Sequence, residues 1–386
     1  MSLRAALLFS TAATFACGAN TGGQSAPPKA ASGRAPAPTL EVSRQLITPA
    51  ETTSVSELFE RGEARARAGD LLGAAADLDR VYTLDPNGPL AAEALFRAAE
   101  AWDLSKDNER ALERYEQMAR RFPEHALGSQ ALVRSIRLLC YLERWQRAGE
   151  LADLFVAREP QPRPFDAIVA HSAKALALVA AGDDAMAMRF IEKGRSIVES
   201  GGLDMAGRVP RDLAQLYFAL GEVRRVRAER IKFTPLPPNF GQAFEERCQL
   251  LLDAQSAYSD TMRAYDSHWT AMAGYRVGEL YQSLHADVMR IEPPPAVNSE
   301  RRRQLFEGAM RLRYAVLLGK AHGMMEHTLS MASRTGERSP WVERAEQAKL
   351  SIERAQAEEQ KALDRLPYTR TELLAAFDRL AKGQAP

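Results

Sequence analysis

The stretch AGDLLGAAADLDRVYTLDP, residues 68–86, decides the fold of this chain. Two later stretches share its layout: SKDNERALERYEQMARRFP (105–123) and LERWQRAGELADLFVAREP (142–160). Each stretch ends in a proline, and the three prolines are spaced 37 residues apart. A sequence period of about 20 to 50 residues indicates an array of small repeated units.

Each unit is predicted to contain two amphipathic helices, because apolar residues recur at helical spacing on both sides of a short polar turn. The closing prolines lack an N–H group and bias the preceding residue away from helix, so the second helix should end there. An alanine stands twelve residues before each proline and lets the helices approach closely: Ala74, Ala111 and Ala148. The many Leu, Ala, Glu and Arg residues also favour helix over sheet.

These units resemble the tetratricopeptide repeat (TPR), a helix-turn-helix unit of about 34 residues. The matching windows are 55–88, 92–125 and 129–162. A fourth window, 168–201, keeps the turn AGDD but lacks the closing proline. The resemblance implies an all-α fold, a right-handed α-solenoid of antiparallel helix pairs, with the TPR region at 54–204.

Residues 205–386 are predicted to form divergent TPR-like hairpins, since their helical patterns are longer and are interrupted by TPLPPNF and EPPPAV. The segment WTAMAGYRVGELY, 269–281, begins a further likeness. Together with a Pro-rich loop and a long helical pair, it resembles TPR proteins of envelope gliding-motility machinery over roughly 250–355. The basic runs RRVRAER (224–230) and ERRRQ (300–304) are interpreted as solvated helix faces, with contact to anionic lipid or to a partner as the alternative.

The N-terminus carries an export signature. Residues 1–16 contain one basic residue, Arg4, followed by the apolar run AALLFSTAATFA, which has signal-peptide length. Because Cys17 follows a small residue directly after this run, the segment resembles a bacterial lipoprotein precursor. That resemblance implies a signal peptide at 1–16 and a lipid on Cys17. The alternative is an ordinary secretory signal cut near Ala16 or Ala19.

Residues 17–53 are predicted to form a disordered tether, because Gly, Ala, Pro, Ser and Thr dominate and cannot bury enough surface to fold. Glycine, not aspartate, follows Cys17. In the lipoprotein family this implies export to the outer membrane, with the protein facing the periplasm. No later apolar run reaches about 18 residues, so no transmembrane helix is expected.

Composition excludes several function classes. Lys and Arg number 51 against 50 Asp and Glu, and removing Arg4 with residues 1–16 gives 50 against 50. This balance argues against a nucleic-acid surface, which needs a basic excess. No phosphate loop, nucleophile elbow or paired-cysteine motif occurs, so no catalytic residue, cofactor or small-molecule substrate is expected.

Two sets of potential ligands are interpreted as structural. In HGMMEH, residues 322–327, His322 and Glu326 share a helix face while His327 points away, so no metal site is expected. Cys140 and Cys248 are interpreted as buried small apolar residues that do not form a disulfide.

The TPR resemblance also implies a partner-binding surface. In TPR proteins the first helix of each pair lines a concave face that binds peptide segments. The corresponding positions here are mainly aromatic or arginine, the types enriched at binding hot spots. They are Phe59, Glu63, Phe96, Arg97, Glu100, Arg134, Arg137 and Tyr141. The Lys/Asn clamp with which some TPR domains hold a C-terminal carboxylate is missing.

Together these features predict an outer-membrane-anchored scaffold that faces the periplasm and binds protein partners in an envelope complex, of the gliding-motility or protein-trafficking type. One alternative is a lipoprotein of barrel assembly, since that machinery also contains a TPR lipoprotein. Another is a cell-wall or glycan-binding module, which stacked aromatic residues in the groove would favour. An envelope enzyme is disfavoured, because no paired nucleophile and base is visible.

Overall fold

The computed structural model describes residues 54–203, 209–295 and 297–381. Within these ranges the chain forms fourteen α-helices and contains no strand. The predicted signal peptide at 1–16, the lipidation site Cys17 and the predicted tether at 17–53 lie outside the described residues.

The first eight helices form four hairpins. They are α1 (Val55–Arg67), α2 (Leu71–Leu84), α3 (Ala91–Leu104), α4 (Asn108–Arg121), α5 (Gly128–Tyr141), α6 (Trp145–Arg158), α7 (Pro164–Ala180) and α8 (Asp184–Gly201). The first three hairpins share nearly the same helix lengths and turns, whereas α7 and α8 are longer.

The C-terminal helices are longer still. After a short 3-10 helix (Arg211–Leu213) come α9 (Ala214–Arg230), α10 (Phe240–Met262), α11 (Ser267–Met289), α12 (Glu300–Thr335), α13 (Pro340–Asp364) and α14 (Arg370–Ala381). The two proline-rich segments form the connections before α10 and before α12.

The helices pack as a stack of hairpins. From α1 to α13, each helix contacts the next one along the chain. Helices α5, α7, α9, α11 and α13 also contact one another in sequence and form one continuous layer, and α14 packs against α12. The predicted all-α, TPR-like stack of helix pairs is thereby confirmed.

The hairpin turns explain the 37-residue period. Gly69, Lys106 and Glu143 occupy equivalent turn positions and all have positive φ, at 83°, 69° and 57°. In the first two turns the next residue caps the second helix: Asp70 accepts from the Gly73 N–H at 3.0 Å, and Asp107 caps α4 in the same way, whereas Arg144 in the third turn makes no side-chain cap. A left-handed residue followed by an aspartate cap reverses the chain and starts a new helix.

Small residues set the spacing between helices. Gly221 of α9 faces the Tyr258 ring of α10, and an added Cβ would lie 2.5 Å from the ring carbon Cε1. The ring has little freedom to move, because Tyr258 is buried and its hydroxyl donates to Glu222 at 2.6 Å. Gly319 of α12 has no atom within 4 Å of an added Cβ among the described residues.

We expect Gly221→Ala to lower the free energy of unfolding by about 1–3 kcal/mol, because the Tyr258 ring cannot yield without strain. Gly319→Ala is the matched control and should raise the same quantity by about 0.5–1 kcal/mol, since alanine restricts the unfolded chain more than glycine does. Urea unfolding followed by circular dichroism measures both effects. Equal stability of the two variants would show that the α9–α10 contact is not tight.

Candidate functional site

The predicted aromatic residues of the inner surface lie in different environments. Phe96 is only 1% exposed and packs edge-on against Tyr115, with ring centroids 5.6 Å apart. Its assignment to the partner surface is corrected, because a ring buried between α3 and α4 cannot contact a partner. Phe59 is half-buried and packs on the small cluster of Leu58, Val81 and Ala94.

Tyr141, at the end of α5, is engaged within the chain. Its ring stacks on His268 with centroids 4.3 Å apart and meets Trp269 edge-on. Its hydroxyl donates to Asp266 at 2.5 Å. Burial, together with the neighbouring Asp266 carboxylate, raises the pKa of this hydroxyl well above its usual value. Tyr141 therefore joins two parts of the stack, a role that was not predicted.

The predicted charged residues of α1 and α3 form one ion-pair cluster. Arg97 lies 2.8 Å from Glu100, 3.6 Å from Glu63 and 3.7 Å from Glu93. The hydrogen bond to Glu100 is the main reason that the pKa of Arg97 is raised. Three of the predicted partner residues thus bind one another in this structure.

The two arginines of α5 also have acidic neighbours. Arg137 lies 2.7 Å from Asp212, and Arg134 lies 3.7 Å from Asp103. Burial raises the pKa of Asp103, and the charge of Arg134 only partly offsets this effect. Asp103 continues the helical spacing of Glu93, Arg97 and Glu100, so periodicity could have identified it. Asp212 lies outside the recognised repeats, so neither a repeat position nor helical spacing predicted it as a site residue.

A second set of contacts joins the end of α5 to helices more than a hundred residues away. Asp266 accepts hydrogen bonds from Tyr141 and from Arg211, the latter at 2.8 Å. Glu143 pairs with Arg344 of α13 at 2.8 Å. We call these contacts, together with those of His268, the α5–α11 closure. They hold the turns before α11 and α13 against the end of α5.

His268 lies at the centre of this closure. Its Nε2 is 3.1 Å from the Tyr141 carbonyl oxygen, and its Nδ1 is 3.5 Å from Glu337. Burial alone would raise the pKa of Glu337, but hydrogen bonds from His268 and Ser267 outweigh it and lower the pKa to about 2.

Beside the closure lies a cavity of about 1330 Å³. Its walls come from the end of α3, the inner side of α5, the 3-10 helix and the turns before α11 and α13. Leu72 and Leu104 line the cavity and are 61% and 67% exposed. Arg134, Arg137 and Tyr141 line it as well, so the structure brings these three predicted residues together.

The possible metal ligands are engaged in other contacts. His322 lies 3.1 Å from Glu353 and 3.6 Å from Glu326, and Lys349 pairs with both carboxylates. Across the part of the chain that the structure describes, no three His, Cys, Asp or Glu side chains are grouped to hold a metal ion. Cys140 and Cys248 are both buried and unpaired.

Within residues 54–203, 209–295 and 297–381, no helix has the length and apolar character needed to cross a bilayer.

No protein-family model matches this chain, and no curated protein matches it. Among solved structures, it is similar to the crystal structure of a tetratricopeptide repeat protein from Parabacteroides merdae, with 13% sequence identity and a TM-score of 0.39. The match covers 75% of this chain and 98% of that chain. Likeness at this level carries no argument about function, and the TPR-like description rests on the chain's own stacked helix hairpins.

Proposed function

We propose that this chain is an envelope scaffold that binds partner proteins and is anchored in the outer membrane through a lipid on Cys17, facing the periplasm. The observation that supports partner binding most strongly is the cavity beside the α5–α11 closure, whose lining includes two exposed leucines, Leu72 and Leu104. TPR-like helix stacks typically serve protein–protein interaction and not catalysis.

The anchoring part of the proposal is supported by sequence alone, namely the short apolar run and the cysteine that follows it. In the native host, the mature chain is expected to begin at a diacylated Cys17, which mass spectrometry of the N-terminal peptide would detect. Cys17→Ser should move the protein from the membrane fraction to the soluble fraction, because two or more acyl chains are needed for durable anchoring. An unmodified mature chain that begins elsewhere would contradict lipidation.

The scaffold part is tested by affinity purification of the tagged chain from detergent-solubilised envelope. A stable set of co-purifying proteins is expected, and their identity would distinguish gliding, trafficking and barrel-assembly complexes. Recovery of the chain alone would contradict scaffolding. The glycan-binding alternative is weakened, since Phe96 is buried and Tyr141 stacks on His268, so two of the three predicted rings do not form an open sugar platform.

A further inference from the structure

We propose that His268 is a pH-sensitive switch within the α5–α11 closure. In its doubly protonated, cationic form its ring binds both the end of α5 and the turn before α13, and loss of one proton breaks the second of these contacts. The switch acts on the helix stack itself and does not depend on the proposed scaffold function.

The two ring nitrogens of His268 both face hydrogen-bond acceptors. Nε2 lies 3.1 Å from the carbonyl oxygen of Tyr141, and Nδ1 lies 3.5 Å from a carboxylate oxygen of Glu337. A neutral imidazole carries a proton on only one ring nitrogen, whereas an imidazolium donates from both. Because a carbonyl oxygen and an ionised carboxylate can only accept, neither neutral tautomer can form both contacts. The arrangement therefore fits the imidazolium form of His268.

The surroundings of His268 supply the negative charge that a buried cation needs. His268 is 8% exposed, and an isolated charge at such a place is unfavourable. The Glu337 carboxylate faces the ring from the turn before α13 and also accepts from the Ser267 hydroxyl at 2.7 Å. On the α5 side the ring stacks on Tyr141 with centroids 4.3 Å apart, and the face of an aromatic ring attracts a cation.

The groups that contact His268, or that share its hydrogen bonds, keep their charge while a histidine titrates. Burial opposes the ionisation of Glu337 and Asp266, but hydrogen bonds outweigh it and lower both pKa values, that of Glu337 to about 2. Burial raises the pKa of the Tyr141 hydroxyl well above its usual value, so this group stays neutral. Histidine changes charge between about pH 5 and 8, so His268 is the residue of this group that can respond there.

The cations near the ring are held by carboxylates of the same region. Arg211 of the 3-10 helix pairs with Asp266, Arg137 of α5 pairs with Asp212, and Arg344 of α13 pairs with Glu143. Arg338 follows Glu337 in the chain and lines the same cavity. Arginine side chains stay protonated at every pH at which a histidine titrates, so these charges form a constant background.

Loss of a proton breaks the longer of the two contacts. Because the Nε2 contact is shorter, neutral His268 keeps its proton there, and the lone pair of Nδ1 then faces the Glu337 carboxylate. Attraction becomes repulsion, while the bond to the Tyr141 carbonyl persists. His268 and Glu337 both line the cavity, so its wall is firmest in acid and loosens as the pH rises through the range in which histidines titrate.

The protonation state is tested by NMR of the full chain with isotope-labelled histidine rings, in which His268→Gln identifies the signals of His268. At about pH 5 both ring nitrogens are expected to carry a proton, and at about pH 8 only Nε2 should carry one. A ring that is neutral at the acidic end, or a neutral form with its proton on Nδ1, would overturn the proposal.

Hydrogen exchange of the backbone amides in the turn 336–339 tests the loosening. Between about pH 5 and 8, the ratio of the exchange rate in the wild type to that in His268→Gln should rise about tenfold or more, because the wild type alone loses a hydrogen bond to a charged group. Comparison at equal pH removes the intrinsic pH dependence of exchange, which both proteins share.

Two further variants keep this test decisive. Glu337→Gln removes the carboxylate that the imidazolium faces, so its turn should also lose the pH response, and it serves as the reference if His268→Gln does not fold. The matched control, His327→Gln, removes an exposed histidine of α12 that does not line the cavity and should respond like the wild type. An equal response in the wild type and Glu337→Gln, or a response lost in His327→Gln, would show that His268 is not the switch.

Discussion

Replacing Glu222 with alanine is expected to lower the free energy of unfolding by about 3–5 kcal/mol, because it removes the carboxylate that two largely buried arginines share. Glu222 of α9 is buried, and Arg225 donates to one of its oxygens at 2.8 Å. Arg276 of α11 lies 3.0 Å from the other oxygen, which also accepts from Tyr258 of α10 at 2.6 Å. Chemical denaturation near neutral pH measures the loss.

The charge state of Glu222 follows from its surroundings. Burial alone would raise the pKa of this carboxyl group, but the charges of Arg276 and Arg225 outweigh burial and lower it. Glu222 is therefore ionised at neutral pH. Removing it leaves Arg225 and Arg276 close together; among the described residues, Arg276 then keeps Glu279 as an acidic partner at 2.6 Å, and Arg225 keeps Glu229 at 2.8 Å. The two largely buried guanidinium groups then lose the carboxylate that lies between them, and a buried charge with less compensation costs more than a missing hydrogen bond.

Glu229→Ala is the matched control for Glu222→Ala. Glu229 pairs with the same Arg225 at 2.8 Å, but its side chain is more exposed. We expect a loss below about 1 kcal/mol, as for other partly exposed ion pairs. If the two variants lost equal stability, the shared pairing of Arg225 would account for both effects, and the burial of Glu222 would have no special importance.

The regular part of the fold could be predicted from sequence because its boundaries are local. The prolines at 86, 123 and 160 and the aspartate caps at 70 and 107 act on the backbone within a few residues. These local signals can be recognised without knowing which helix packs opposite.

Phe96 is a residue whose place in the fold local signals do not predict. Both sides of an inner helix pack against neighbours, so an apolar residue can belong to the core or to the open surface.

Charged residues were harder to place, because their partners are distant in sequence. The sequence of the run RRVRAER, residues 224–230, predicts a solvated helix face. In the structure Arg225 pairs with Glu222, and both Arg227 and Arg230 pair with Asp184 of α8. Asp184 precedes Arg227 by 43 residues. Similarly, the cavity depends on contacts between α5 and the turns before α11 and α13, which the repeat pattern does not encode.

Replacing Asp266 with alanine is expected to lower the free energy of unfolding by about 2–4 kcal/mol, since it removes a helix cap and leaves a buried hydroxyl without an acceptor. Asp266 is 3% exposed, and its Oδ1 accepts from the Trp269 N–H at 3.0 Å at the start of α11. Its Oδ2 accepts from Tyr141 and Arg211. Because these bonds fasten α11 to α5, small-angle scattering should also show a larger radius of gyration.

Asp266→Asn separates the contributions to this loss. Asparagine caps helices about as well as aspartate, so the cap should persist while the charge is lost. We expect Asp266→Asn to cost less than half as much as Asp266→Ala, because Arg211 is mostly exposed and its ion pair is worth less than about 1 kcal/mol. Equal losses would show that the α11 cap contributes nothing.

The pH dependence of stability gives a further test of Asp266. Burial alone would raise the pKa of its carboxyl group, but hydrogen bonds from Tyr141 and the Trp269 N–H, with the charge of Arg211, lower it in the folded state. The unfolded chain therefore binds this proton more readily. The stabilisation is complete above the unfolded pKa of about 3.9 and is lost as the pH falls through the lower folded value. Glu337 acts in the same direction, with a folded pKa of about 2.

Urea unfolding at a series of pH values should show wild-type stability falling more steeply in acid than that of Asp266→Asn. Parallel curves would mean that the Asp266 carboxylate is not stabilised by the α5–α11 closure.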